Sequence, residues 1–144
     1  HFPDVTDELA INYFDKLIQV PIRVPPLGTQ EVRGYMMLLY VDNSDLDDTV
    51  KEKIRTGICK QLGQTWQGKR VDRNFIQTLH DKFSHELIAR LDSADRLAHV
   101  MTTATRIAGN PRLIKRFLNA LSIRMAIAKS NGVGVDETVL AKML

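Results

Sequence analysis

The 144-residue sequence has a single cysteine, Cys59, which excludes a disulfide framework and a Cys-rich zinc site. Aromatic residues make up only 6% of it, which speaks against single-strand stacking by the basic block from Arg96 to Val135, where they are not interleaved with the basic residues. No apolar run approaches the roughly 18–20 residues of a membrane span. The longest, Tyr35 to Val41, is short. The first residues, His1-Phe2-Pro3-Asp4, lack both an initiator Met and a signal-peptide pattern. These absences lead us to expect a soluble cytoplasmic chain in a reducing compartment, and a fragment or processed piece.

The catalytic signatures of common enzymes are also missing. There is no phosphate loop of the form G-x-x-x-x-G-K followed by Ser or Thr, no G-x-G-x-x-G, no H-E-x-x-H and no G-x-S-x-G elbow. His80 and His85 are five apart, not the i, i+4 pair of a zinc helix, so His85-Glu86 is expected to be a surface pair. Cys59 falls beside an apolar helical stripe and is expected to be a small core residue. Trp66, in a turn bracketed by Gly63 and Gly68, is either a contact anchor or, more in keeping with its type, a satellite-core residue under the turn.

What is present is a helical pattern with one extended break. The chain is 44% hydrophobic and 26% charged, enough for a sizeable core. Thr6 caps an expected first helix with Leu9, Tyr13 or Phe14, and Leu17 inward. Ile18, Val20, Ile22 and Val24 alternate as in a strand, and Pro21 makes it an edge segment. Thr29 is expected to cap a helix over Gln30–Val41, and the acidic Asp42–Asp48 stretch leads into a helix from about Thr49 to Leu62. Asp72 is expected to cap a helix with Phe75, Ile76, Leu79, Phe83, Leu87, Ile88 and Leu91 inward. Asp92-Ser93-Ala94-Asp95 is the expected cap and first turn of another, running to Ala108. Gly109 stops it, Asn110-Pro111 opens a long helix to about Asn131, and Asp136 caps a last one. The expected fold is mostly α, a bundle of about seven helices with one short extended edge segment.

Charge is uneven. Seven basic residues and no acid lie between Arg96 and Val135, so the rest of this +3 chain is net acidic. A block of this kind is either a solvated helix face or a surface for phosphate, nucleic acid or an acidic partner. One part of it breaks a local rule. Arg112, Lys115 and Arg116 crowd a helix N-terminus that already carries about half a positive charge. Three cations there cost stability unless an anion is present, and free N–H groups at that end would complete a phosphate site. Arg112, Lys115, Arg116 and Asn119 share the polar face, opposite Ile114, Phe117, Leu118, Leu121 and Met125. Salt bridges to the Asp42–Asp48 loop are the competing explanation.

The string Gly109-Asn110-Pro111-Arg112, with Lys115-Arg116-Phe117-Leu118-Asn119 after it, resembles the sensor-2 segment of KAP-type P-loop NTPases, relatives of AAA+ ATPases. Tyr13 to Leu27 is similar to that family's last core helix and strand. The resemblance implies residues 1–28 as the edge of an NTPase core and 29–144 as a helical lid, with an insertion around 42–90. It implies that Arg112 reaches the γ-phosphate of ATP, with Asn110, Lys115 and Arg116 beside it, and that Lys16 points at a neighbouring subunit's nucleotide. Lys16 stands where Arg is more usual, without the bidentate fork. ATP and Mg²⁺ belong to the full-length protein, with no cofactor expected on this piece alone, which is expected to be inactive by itself. Implied partners are the upstream core of the same chain and a second copy or partner protein. The alternative is a helical nucleic-acid-binding or protein-interaction module using residues 96–135.

Overall fold

A computed structural model describes residues 25–135 and 137–142, together with 9 and 11–13. Among the described residues the chain is helical throughout, with six α-helices and one 3₁₀ turn and no strand. The helices are α1 (Thr29–Asp42), α2 (Asp48–Leu62), α3 (Arg73–Leu79), α4 (His85–Thr103), α5 (Pro111–Ser130) and α6 (Glu137–Lys142), with the 3₁₀ turn at Thr65–Gln67. The mostly α expectation is met. The expected edge segment Ile18–Val24, Lys16 and the cap Asp136 lie outside the described residues. Leu9 and Tyr13, expected inward, are exposed.

One apolar cluster holds the bundle. Val32, Met36, Met37 and Val41 of α1 meet Leu91, Ala94, Leu97, Ala98 and Met101 of α4, all of them buried, and α1 packs chiefly on α4. Ile54 and Ile58 of α2, Ile76 of α3, and Ile114, Leu118 and Leu121 of α5 close the sides. Gly34 sits where α1 meets α2. A Cβ there would lie 3.1 Å from Leu62 Cδ1, so its place inside a helix reflects close packing and not a helix break.

The helix starts follow local chemistry. Asp47 accepts from the Thr49 N–H, Asp72 from Phe75 and Asn110 from Arg112, each capping its helix. The start of α1 differs from expectation. Its N-cap is Gly28, without a side-chain cap, and Thr29 is the first helical residue.

The larger correction concerns residues 79–95. The expected helix from Asp72 to Leu91 ends at Leu79, because His80 is extended and Ser84 caps a new start by accepting from the Leu87 N–H. Phe83 and Ile88 occupy the positions of a hydrophobic staple around that cap, and Phe83 meets the His80 ring edge-on, 5.2 Å between centroids. Asp92-Ser93-Ala94-Asp95 is not a helix start. It lies within α4, with Ser93 and Ala94 buried. Cys59 and Trp66, expected in the core or under a turn, are both exposed, Trp66 to 81%.

Candidate functional site

The candidate site is the turn that feeds α5. After α4 ends, Ala108 and Gly109 both adopt left-handed backbone, with φ of 44° and 69°. Only Gly takes this conformation without cost, and at Gly109 a side chain would also collide. A Cβ there would stand 2.5 Å from the carbonyl oxygen of Leu27. The turn is held by hydrogen bonds from Gly109 N–H to Met101 O and from Asn110 N–H to Ile107 O, 3.0 and 2.9 Å. The fold thus seats Gly109 against the backbone of Leu27, 82 residues earlier, two positions that the sequence singled out separately.

Asn110 then caps α5. Its Oδ1 accepts from the N–H groups of Arg112 and Leu113, at 3.0 and 3.4 Å, and Pro111 takes the first position, where no N–H is needed. The expectation of open N–H groups is corrected for these two, because the cap occupies them. An anion at this end would therefore have to be met by side chains.

Arg112, Lys115, Arg116 and Asn119 are exposed on one face. Ile114, Leu118 and Leu121 are buried on the other, with Phe117 and Met125 half-buried beside them. The first turn of α5 contains no acid. Among the described residues no carboxylate forms an ion pair with Arg112, Lys115 or Arg116, and those of Asp42–Asp48 do not reach them. Three exposed cations without a carboxylate fit a phosphate group. Among the described residues no three His, Cys, Asp or Glu side chains come together to hold a metal ion. A groove of about 500 Å³ between α1 and α2, bordered by Tyr35, Leu38, Asp48, Lys51 and Arg55, includes no residue of the α5 turn.

A second charged arrangement was not legible in the sequence. Arg33 is 7% exposed. Its Nε lies 3.1 Å from Asp95 Oδ1, and its Nη1 donates to Gln30 Oε1 at 3.1 Å. Asp95 Oδ2 accepts from the Arg73 N–H at 3.2 Å, while Arg73 Nη1 reaches both oxygens of Asp92 at 2.9 Å. Burial pushes the Asp95 carboxyl above its ordinary value, and Asp72 and Asp92 add to this, against the opposing pull of the Arg73 N–H and Arg33. Two acids three apart on α4 thus hold α1 and α3 together, a structural role. The only sequence signal was Arg33 inside the apolar stripe of α1.

The sequence matches the KAP family P-loop domain over residues 3–128. The match spans most of the chain and contains the α5 turn. The chain belongs to the KAP family of P-loop NTPase domains. No curated protein and no solved structure gives a significant match. Among the described residues no helix is long and apolar enough to cross a membrane.

Proposed function

We propose that this chain is the helical lid region of a KAP-type P-loop ATPase and that Arg112 contacts the γ-phosphate of ATP when the lid closes on the nucleotide-holding core. The observation that carries this reading is the seating of Gly109 on the backbone of Leu27. It anchors the start of α5 to the segment we read as handing over from core to lid, and Arg112 is exposed with no carboxylate partner among the described residues. Lys115 and Arg116, on the same face, raise the local positive potential for an incoming phosphate. A cation fixed on a rigid helix needs no reorganisation when charge develops on the transferring phosphoryl group, so its effect falls on turnover more than on binding. Lys16 is the residue we assign to a neighbouring subunit's nucleotide. The phosphate loop and the acids that hold Mg²⁺ belong to the upstream core of the full-length protein, and so does hydrolysis.

The test is Arg112→Ala in the full-length protein. Hydrolysis is expected to fall by about 10²-fold or more, with nucleotide affinity largely kept. Normal turnover combined with a clear loss of thermal stability would make Arg112 a structural residue and sink the reading.

A further inference from the structure

The turn between α2 and α3 carries the chain's only tryptophan in the open. Trp66 is 81% exposed, on the 3₁₀ turn Thr65–Gln67. An indole left in water forfeits the burial that makes Trp a core residue. The turn is nevertheless well ordered by its own bonds. The Gly68 N–H donates to Thr65 O at 3.0 Å, with Gly68 left-handed at φ 78°. Thr65 Oγ1 donates to Leu62 O at 3.1 Å, and Gln61 Nε2 donates to Arg70 O at 3.2 Å, tying the two ends of the turn together.

The stretch of chain that forms the turn is basic. From Lys53 to Val71 the chain holds Lys53, Arg55, Lys60, Lys69 and Arg70 and no Asp or Glu. Arg55 is paired with Glu52. Among the described residues Lys60, Lys69 and Arg70 have no carboxylate partner, and all three are exposed. Lys69 Nζ folds back to Gln64 Oε1 at 2.7 Å, beside the turn that bears the indole. The flanking acids are Asp47, Asp48 and Glu52, toward the far end of α2, and Asp72, two residues past Arg70, whose carboxylate caps α3 by accepting from the Phe75 N–H.

We infer that this turn is a binding site for single-stranded nucleic acid, with one base stacked on Trp66 and the backbone phosphates held by Lys60, Lys69 and Arg70. An aromatic face set among cations is what a single strand requires. The basic block at 96–135 has one aromatic, Phe117, half-buried against the core, whereas here Lys60 and Lys69 flank an exposed Trp66 along the chain. Gln64 and Gln67 add amide groups at the base edge. An anionic lipid surface fits the turn less well. No second large apolar side chain is exposed in it, and amides and glycine surround the indole.

Because Trp66 is the sole tryptophan, its fluorescence reports on this site alone. The experiment titrates the 144-residue chain with an oligothymidylate of roughly 10 nucleotides, within the usual site size, at several salt concentrations. Saturable quenching is expected, with log affinity falling against log salt at a slope of about −2 for three phosphate contacts. Trp66→Ala, followed by anisotropy of a labelled oligonucleotide, is expected to weaken binding at least about fivefold and leave the slope alone. Lys69→Gln/Arg70→Gln is expected to weaken binding and flatten the slope by about 1.4. All three side chains are exposed, so circular dichroism of the variants should match the parent. Absence of quenching overturns the proposal. So does binding that neither variant weakens, which would assign it to the 96–135 block. Quenching by phosphatidylserine vesicles but not by the oligonucleotide overturns it in favour of a lipid surface.

Discussion

Arg33 Nε lies 3.1 Å from Asp95 Oδ1, and the two partners are unequally buried, with side chains 9% and 30% exposed. The pair fastens α1 to α4, where the core is densest. Its inequality has an energetic consequence, because the cost of breaking an ion pair is set by the charge left behind.

Asp95→Ala leaves the buried guanidinium with only Gln30 as its recorded partner. It should cost about 2–3 kcal/mol in a urea denaturation. Arg33→Met leaves Asp95 partly in water and still accepting from the Arg73 N–H, and its methionine stem keeps much of the packing. That change should cost about 1 kcal/mol or less. Equal costs, or the reverse order, would show that the pair does not work through the buried guanidinium.

Two aspartates should give opposite dependence on pH. Asp95 is raised above 3.8 by burial, so the fold binds its proton more readily than the unfolded chain does. Its stabilising contribution is complete below 3.8 and is lost as the pH rises through the higher folded value. Asp47 is lowered below 3.8 by its hydrogen bonds from the Thr49 side chain and backbone. Its contribution is present above 3.8 and is lost as the pH falls through the lower folded value. Denaturation of the parent, Asp95→Asn and Asp47→Asn between about pH 2 and 7 reads both. On acidification the parent should gain relative to Asp95→Asn and lose relative to Asp47→Asn.

Gly109 and Gly132 share a φ of 69° and differ in surroundings. At Gly132 nothing lies within 4 Å of an added Cβ, whereas at Gly109 the Leu27 carbonyl lies 2.5 Å from it. Gly132→Ala should cost about 1 kcal/mol, the price of left-handed backbone alone. Gly109→Ala should cost about 2 kcal/mol or more, because backbone and not a flexible side chain must move. Similar melting temperatures for the two variants would place the Leu27 segment elsewhere.

Arg112→Ala should leave the fold as stable as before or raise it by a few tenths of a kcal/mol, up to about 1. It removes a cation from a helix start that has no acid, and no recorded bond of its side chain is lost. Thermal melting of the 144-residue chain at low salt is the check, and a clear drop would point to a structural contact.

The helices whose starts depend on neighbouring residues were legible in the sequence. Asp72 and Asn110-Pro111 fix the starts of α3 and α5 through bonds spanning two or three residues, and the i+4 spacing of Ile54 and Ile58 marks the buried face of α2. The exposed basic face of α5 follows from the same periodicity. Only the tertiary structure decided the rest. The break at His80–Ser84 has no Gly or Pro to announce it, and the capping pattern Asp92–Asp95 is overridden because Arg73 and Arg33 claim those carboxylates from other helices. The exposure of Cys59 and Trp66 depends on what lies opposite their faces, which spacing along one helix does not specify. The contact of Gly109 with Leu27 joins residues 82 positions apart. Local hydrogen bonding selects where helices begin, while burial and ion pairing between helices depend on neighbours that only folding brings near.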